Sequence, residues 1–242
     1  MENFLKKTQK VFTSTCDSEG NISIPSVFSI FMDLATEHGT EIKMGADDLM
    51  KKKCIWLTSK TKIIFHKLPK FMDEVELETW PEKPGNVRCN RYYTLSMDKE
   101  LYIEGKSEWA IINYETQKLT KLSEVYTEGL THREDKVCTE PFARLSTNYE
   151  EAKVLEHYKI RSTDIDTSHH MNNVAYVKMI FGAFSTAELN KMSFKEIDVL
   201  FKSQSFEGET LTICKKEIEN GFDIGVLHND GSVAVSARFI LN

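Results

Sequence analysis

Hydrophobic and polar residues alternate along short stretches in both halves of the chain. Val75 and Leu77 in the first half, and Leu211 and Ile213 in the second, are each separated by one polar residue. Side chains along a β-strand point alternately to the two faces of a sheet, so this period of two is typical of a half-buried strand. The pattern therefore predicts sheet structure in both halves.

The segments around these strands form an internal repeat. Residues 65–73 and 201–209 both begin with phenylalanine and end with an acidic residue eight positions later. Further along, residues 91–113 and 221–242 each predict a β-hairpin closed by a polar turn. The same order of elements recurs along most of both halves, which favours a true repeat over chance similarity between amphipathic strands.

Each half also contains one amphipathic helix ahead of its strands. In the first half, Pro25 suits an early helical position, and apolar residues follow at helical spacing: Val27, Phe28, Phe31, Leu34 and Ala35. In the second half, the corresponding residues are Val177, Ile180, Phe181 and Phe184. Stripes of this kind predict core packing, in which a sheet covers the helix and its strands wrap around it.

The repeat predicts an α+β chain of two domains, residues 1–140 and 150–242, each a long helix wrapped by an antiparallel sheet. A length of 242 residues fits two domains of ordinary size. Residues 114–150 have no repeat partner and are interpreted as the connection. Because a long connector without structure would be unusual, we expect part of it to pack on a sheet.

Composition restricts the classes of function. The net charge of −6 argues against general nucleic-acid binding, because phosphate contacts require a basic surface. Five widely spaced cysteines form neither a Cys-x-x-Cys pair nor a disulfide framework, which favours a reducing compartment. The first ten residues lack the apolar run of a signal peptide, and no apolar stretch predicts a membrane helix. We therefore expect a cytoplasmic protein without nucleic-acid or membrane partners.

The clearest chemical signal is the sequence Asp166-Thr-Ser-His-His170-Met-Asn-Asn173, which lies early in the second half. We expect a strand to end near Asp164 and the second helix to begin near Asn172. An acid and an imidazole in the intervening loop can meet at the helix N-terminus, where unpaired N–H groups and the positive end of the helix dipole favour negative charge. A carboxylate that activates or attacks, together with donors for an oxyanion, suits the hydrolysis of an electrophilic carbonyl such as a thioester.

This motif makes the chain resemble the acyl-ACP thioesterase family, whose members contain two hotdog domains in tandem. The pattern Asp166-x-x-x-His170-Met-Asn-Asn-x-x-Tyr176 is similar to the hotdog thioesterase signature. Three tryptophan-containing segments of the first half resemble the family as well: residues 55–62, 73–80 and 107–113. The resemblance covers nearly the whole chain.

The resemblance implies hydrolysis of fatty acyl-ACP, which releases free fatty acid and ends chain elongation. It implies an acyl carrier protein as partner and no metal or organic cofactor. Asp166 would orient or activate the nucleophile and His170 would pair with it, while N–H groups at Asn172 and Asn173 would bind the oxyanion. The comparable loop of the first half, residues 17–21, contains no histidine. The C-terminal domain would therefore be catalytic, and the N-terminal domain would hold the acyl chain.

Two positions depart from the family pattern. Ser168 stands where plant members usually have asparagine, and Gln204 stands where they have glutamate in the strand after the helix. A serine hydroxyl can still donate or accept a hydrogen bond, whereas Gln204 can position water but cannot act as a base. We expect the chemistry to depend mainly on Asp166 and His170, with water as the nucleophile.

Several lysines of the first half form a candidate docking surface for an acidic carrier protein: Lys51, Lys52, Lys53, Lys60 and Lys62. A charge run is usually a solvated face, and the negative net charge makes local clustering necessary for steering. His169 and His170, close to Asp164 and Asp166, do not predict a metal site, because adjacent histidines rarely point at one ion.

Two other functions remain open from the sequence. An acyl-CoA thioesterase could use the same loop, because the loop serves either leaving group. A catalytically silent acyl-binding hotdog protein is compatible with Ser168 and Gln204, although the presence of both Asp166 and His170 disfavours it. The sequence determines neither the preferred chain length nor the oligomeric state, for which a homodimer is one candidate.

Overall fold

A computed structural model describes residues 3–242 of the chain. The chain divides into two compact units with a boundary between Glu140 and Pro141. They are called the N-terminal and C-terminal units below. Across the described residues, none of the helices combines the length and apolar content that crossing a membrane requires.

The N-terminal unit is built on an antiparallel sheet. Its strands are β1 (Leu5–Lys10), β2 (Cys54–Phe65), β3 (Glu74–Pro81), β4 (Arg88–Met97), β5 (Glu100–Asn113) and β6 (Lys118–Thr120). Their order is β1-β3-β4-β5-β2, with β6 paired to β5. Asp98 and Lys99 join β4 to β5 with left-handed φ angles of 51° and 66°, the geometry of a tight two-residue hairpin turn. The predicted first hairpin is therefore confirmed.

One long helix, α1 (Ile24–Glu41), packs on this sheet. Its N-terminus is capped by Ser23, whose side chain accepts the Ser26 N–H, and Pro25 lies in the first turn as predicted. The predicted apolar stripe is buried, and the ring of Phe31 stacks on Tyr93 of β4 with centroids 4.8 Å apart. Burying a side chain of this size stabilises a fold by about 1.5–3 kcal/mol. Two short helices complete the unit: α2 (Ala46–Met50) and α3 (Leu122–Val125).

The C-terminal unit repeats this arrangement. Its strands are β7 (Lys153–Lys159), β8 (Phe194–Phe201), β9 (Thr210–Ile218), β10 (Gly221–Leu227) and β11 (Val233–Leu241). Their antiparallel order is β7-β9-β10-β11-β8, which matches β1-β3-β4-β5-β2 strand for strand. Its helices are α4 (Asn173–Gly182) and α5 (Thr186–Leu189). The internal repeat and the second hairpin are confirmed.

The second helix is shorter than the sequence pattern predicts. Helix α4 has 10 residues, whereas α1 has 18, and Phe184 lies beyond its end. The cause is local, because Ser185 and Glu188 form a capping box that starts α5 as a new helix. Phe184 still contributes to the core, where its ring lies 5.6 Å from that of Phe222.

Part of the connecting segment packs on the C-terminal sheet, as predicted. The Tyr149 hydroxyl donates to the Ile224 carbonyl at 3.0 Å, and the Ser236 hydroxyl donates to the Ser146 carbonyl at 2.9 Å. The Tyr149 ring lies directly over Gly225, so close that a Cβ atom at that position would be 2.5 Å from the ring. Gly225 therefore makes room for the segment that precedes β7.

Replacing Gly225 by alanine should destabilise the C-terminal unit by about 1–3 kcal/mol, because the added methyl forces Tyr149 from its site. The matched control is Gly182→Ala at the end of α4, where an added Cβ meets no atom within 4 Å. The control should be neutral or stabilising by up to about 1 kcal/mol. Urea unfolding followed by circular dichroism measures both, and equal stability of the two variants would contradict this account of Tyr149 packing.

Candidate active site

The motif residues form a tight loop in front of α4. After a 3₁₀ turn at Ser162–Asp164, Ile165 and Met171 pair as an isolated antiparallel bridge. The loop between them is closed by the Asp166 N–H, which donates to the His170 carbonyl at 3.2 Å. The sequence motif is thus a small hairpin that leads into a helix.

The boundaries of the flanking elements are partly as expected. Helix α4 begins at Asn173 with Asn172 as its N-cap, as predicted. Strand β7 ends at Lys159, five residues before the position predicted for it. The intervening residues are held by Asp164, whose carboxylate accepts from the Tyr158 hydroxyl at 2.9 Å and from the Arg161 N–H at 2.8 Å. Asp164 therefore stabilises the turn.

The Asp166 carboxylate is fixed by two donors. Its Oδ1 accepts the Ser168 N–H at 2.8 Å, and its Oδ2 accepts the Asn172 side-chain Nδ2–H at 3.0 Å. Asn172 is itself held, because its Oδ1 caps α4 by accepting the Val174 N–H at 2.7 Å. Each carboxylate oxygen retains a further lone pair. The carboxylate is therefore rigidly oriented and can still accept a hydrogen bond from water or substrate.

The ring orientation of His170 defines which nitrogen is available. Its Nδ1 lies 3.2 Å from the Met171 carbonyl oxygen, and the ring is half-buried. A carbonyl oxygen can only accept, so Nδ1 carries the hydrogen. In the neutral ring, Nε2 then has the lone pair and can take a proton from water.

The two side chains do not form the pair that the sequence predicts. Within the described residues, the Asp166 carboxylate bonds to Ser168 and Asn172, and the His170 ring bonds to Met171. The link between Asp166 and His170 is the main-chain bond that closes the loop. Asp166 therefore does not hold the imidazole directly, and the loop backbone fixes their relative positions.

The predicted oxyanion donors also need correction at one position. The Asn172 N–H donates to the Asp164 carbonyl at 2.8 Å, so it is occupied. The Asn173 N–H belongs to the first turn of α4, where the helix supplies no acceptor for it. Asn173 therefore remains the candidate oxyanion donor, while Asn172 orients Asp166 and caps the helix.

Strand β8 and the segment after it supply a second side of the loop. The Met171 N–H donates to the Ser205 carbonyl at 2.8 Å, and the Tyr176 hydroxyl donates to the Ser205 hydroxyl at 2.7 Å. Burial raises the pKa of Tyr176 to about 12, so this hydroxyl keeps its proton. These contacts bring the exposed residue Gln204 to the loop. Sequence reasoning missed the role of Tyr176, although its position one helical turn after Asn172 was a signal.

Ser168 contributes through its backbone. Its N–H fixes Asp166, while its side chain is exposed at the tip of the loop. Any residue other than proline supplies this N–H. The departure from asparagine at this position therefore leaves the carboxylate geometry intact.

The first repeat contains the same loop without the histidine. The Asp17 N–H donates to the Asn21 carbonyl at 2.8 Å, and the Asp17 Oδ1 accepts the N–H groups of Glu19 and Asn21. Asn21 thus occupies the place of His170. Gly20, with a φ of 77°, occupies the place of His169, whose φ is 62°. His169 therefore sits in a position that glycine fills more easily.

The candidate docking lysines are mostly engaged in local contacts. Lys51 pairs with Asp48, Lys52 donates to the Val125 carbonyl, Lys53 pairs with Glu115 and Lys60 pairs with Glu108. Lys62 is only 2% exposed, because both faces of β2 are covered around it. The inclusion of Lys62 in a docking surface was therefore wrong.

Within residues 3–242, no three histidine, cysteine, aspartate or glutamate side chains gather as a metal-binding group. His169 is exposed and His170 is turned to a carbonyl oxygen.

Solved structures share this fold. An acyl-ACP thioesterase from Bacteroides thetaiotaomicron superposes with a TM-score of 0.90 at 19% identity, over 99% of this chain and 98% of that chain. The 12:0-ACP thioesterase from Umbellularia californica superposes with a TM-score of 0.82 at 17% identity, over 99% and 97%. The predicted α+β fold of two tandem hotdog domains is confirmed.

Curated relatives are found among plant enzymes. Oleoyl-acyl carrier protein thioesterase 2 of Arabidopsis thaliana is 22% identical over 89% of this chain and 64% of its own length. The palmitoyl-acyl carrier protein thioesterase of the same plant is 22% identical over 89% of this chain and 55% of its own length. The chain thus spans less than two thirds of these relatives.

Two family models match successive parts of the sequence. The acyl-ACP thioesterase N-terminal domain matches residues 2–130, and the acyl-ACP thioesterase C-terminal domain matches residues 147–239. The loop with Asp166 and His170 lies within the second match. Because the two matches together cover most of its length, the chain belongs to the acyl-ACP thioesterase family.

Proposed function

We propose that this protein hydrolyses the thioester of fatty acyl-ACP and releases the free fatty acid. The observation that carries the proposal is the loop in front of α4, where an oriented carboxylate, an imidazole with its lone pair on Nε2 and a first-turn N–H lie together. Membership of the acyl-ACP thioesterase family over both units supports the substrate class.

In the proposed reaction, water is the nucleophile. His170 Nε2 takes one proton from the water as its oxygen bonds to the thioester carbon, and the carbonyl oxygen becomes an oxyanion. The remaining lone pairs of Asp166 orient the water or stabilise the imidazolium that forms. The Asn173 N–H donates to the oxyanion, aided by the positive end of the α4 dipole.

Collapse of the oxyanion breaks the carbon–sulfur bond. His170 returns its proton to the leaving thiolate of the carrier, so the products are the fatty acid and the free carrier thiol. The same imidazole thus serves first as base and then as acid. Gln204 is proposed to position the attacking water, and it cannot replace His170 because an amide does not titrate.

The N-terminal unit is proposed to hold the acyl chain. Its copy of the loop has Asn21 where the catalytic unit has His170, so it lacks the imidazole. Its longer helix and its sheet instead enclose an apolar interior that includes Phe31, Leu34 and Tyr93. Apolar side chains of this kind can line a site for a hydrocarbon chain.

The direct test compares hydrolysis of a panel of acyl-ACPs with that of acyl-CoAs carrying the same chains. We expect a higher kcat/KM for the carrier-bound substrates. Equal or better hydrolysis of acyl-CoAs would favour an acyl-CoA thioesterase. Binding of acyl chains without release of thiol from any substrate would favour a silent acyl-binding protein.

Lys51, Lys52 and Lys53 are proposed to dock the acidic carrier protein. The exposed contacts of Lys51 to Asp48 and of Lys53 to Glu115 contribute little stability, so carrier carboxylates can replace them. Reversing all three to glutamate should raise KM for acyl-ACP while kcat is maintained. The effect should shrink as salt rises, because exposed charges are screened within about 10 Å at 0.1 M ionic strength.

The matched control reverses three exposed lysines of the C-terminal unit, Lys191, Lys195 and Lys216, and changes the net charge by the same amount. Its KM for acyl-ACP should be close to that of the unmodified protein. An equal rise in KM for both triple variants, or for a short acyl-CoA, would assign the effect to net charge rather than to docking.

The thiols support the proposed cytoplasmic location. Within the described residues, all five cysteines are free and four of them are buried. Burial raises the pKa of the Cys89 thiol to about 12, so this group remains protonated and unreactive. Free thiols of this kind are stable in a reducing compartment.

A further inference from the structure

A polar cluster lies in the layer between α1 and the sheet of the N-terminal unit. His38 of α1 contacts Arg91 of β4, with Nδ1 and Nη1 2.9 Å apart, and the same Nη1 donates to the Thr79 hydroxyl of β3 at 3.2 Å. His38 is 1% exposed and Arg91 is 8% exposed. These charged and polar groups are therefore part of the interior.

The cluster continues a row of apolar contacts. Phe31 lies two turns before His38 on the same face of α1, and Tyr93 lies two residues after Arg91 on the same face of β4. The rings of Phe31 and Tyr93 stack, so the helix meets the strand first through this apolar pair and then through the polar one.

The cluster contains more hydrogen-bond donors than acceptors. Arginine has only donors, so His38 Nδ1 must accept, and the neutral ring then carries its hydrogen on Nε2. His38 Nε2 is buried and has no partner among the described residues. Neither partner of Arg91 is a carboxylate, so the guanidinium charge is not neutralised by its hydrogen bonds.

Such an arrangement calls for an acceptor. A buried donor without a partner carries a desolvation penalty, and a hydrocarbon placed against it cannot relieve that penalty. An oxygen atom can accept from His38 Nε2–H and lies favourably near the guanidinium. Sites built to hydrogen-bond a polar group reject analogues that lack it.

We infer that His38 and Arg91 form a specificity subsite for an oxygen atom on the acyl chain, so that the enzyme prefers hydroxylated or oxo-substituted chains over plain hydrocarbon chains of equal length. This inference rests on the proposed function, because it requires the acyl chain to lie in the N-terminal unit. The alternative is a single buried water that satisfies Nε2 and takes no part in substrate choice.

The test uses acyl-ACPs of one chain length with no oxygen, with a mid-chain hydroxyl or with a terminal hydroxyl. For the unmodified enzyme we expect kcat/KM to be about 10-fold or more higher for one of the hydroxylated chains. In His38→Leu/Arg91→Met, which replaces the cluster by apolar groups of similar size, the preference should disappear. His38→Gln should retain it, because the amide keeps both an acceptor for Arg91 and a donor.

Two results would overturn the inference. One is an unmodified enzyme that hydrolyses all three chains equally, which decides the matter even if the double variant does not fold. The other is a folded double variant that keeps the preference. If no acyl-ACP is hydrolysed at all, the proposed function fails. The subsite is then tested separately by calorimetry, which compares the binding of free hydroxylated fatty acids with that of plain fatty acids. Equal affinities would then count against it.

Discussion

Folded Asp166→Asn and His170→Ala variants should each lose about 10²–10⁴-fold in kcat on the best acyl-ACP, the usual contribution of general acid–base catalysis. In His170→Ala, the Nε2 lone pair that accepts the proton from water is gone. In Asp166→Asn, Oδ1 can still accept the Ser168 N–H, but the new NH₂ group faces the Asn172 NH₂ group, so the oriented charge is lost. Since both residues are proposed to act on the same attacking water, the double variant should be little worse than the poorer single variant.

The first repeat supplies a matched control. Asp17→Asn makes the same change in the same loop, and the Asp17 Oδ1 that accepts from Glu19 and Asn21 is retained as an amide oxygen. This variant should have a near-normal kcat. A loss of kcat in Asp166→Asn alone would then be due to the lost catalytic group and not to a general effect of the substitution on such loops. His169→Gly is the control for the neighbouring histidine and should leave kcat unchanged while relieving the left-handed φ.

Two further substitutions measure how much Ser168 and Gln204 contribute to kcat. Ser168→Ala should have a small effect, because the N–H that fixes Asp166 remains. Gln204→Ala should have an intermediate effect if Gln204 positions the water. Circular dichroism of every variant establishes folding. Near-normal turnover in folded Asp166→Asn or His170→Ala would refute the proposed mechanism.

The N-terminal unit should lose stability as the pH falls below neutrality, and His38 should be a main cause. Burial, together with the neighbouring Arg91 charge, lowers the pKa of His38 from 6.5 to about 3. Between these pH values, His38 therefore binds a proton in the unfolded chain but not in the folded one. The free energy of unfolding that this difference leaves intact above pH 6.5 is lost as the pH drops towards 3. The loss should be about 2 kcal/mol by pH 5 and on the order of 4 kcal/mol by pH 3.

The measurement compares urea unfolding of the unmodified protein and His38→Gln at pH 7 and pH 5. All three tryptophans, Trp56, Trp80 and Trp109, lie in the N-terminal unit, so their fluorescence follows that unit. The stability advantage of the unmodified protein should shrink by about 2 kcal/mol between the two pH values. His157→Gln, an exposed position in the C-terminal unit, is the control. A parallel pH dependence in the unmodified protein and His38→Gln would show that His38 is not responsible.

The sequence by itself determined the elements and their repetition. Period-two stretches such as Val75 to Leu77 are β-strands, and the helical stripe from Val27 to Ala35 is core, because burial of one face requires those spacings. The loop before the second helix was also determined, since the N-cap at Asn172 and the turn residues before it are local signals. The lengths of the two helices were not, because a capping box at Ser185 ended the second one early.

Only the tertiary structure decided which groups of the site are available. Sequence spacing placed Asp166 and His170 in one loop, but the directions of their side chains depend on partners at Asn172 and Met171 that spacing does not specify. The contacts between Ser205 and both Met171 and Tyr176 join segments about thirty residues apart in the chain. The burial of Lys62 and the meeting of His38 with Arg91 also result from packing across the fold. Local patterns determine which elements form, because propensity and periodicity act over a few residues. The available lone pairs, the occupied donors and the buried charges of this protein are determined by contacts between residues distant in sequence.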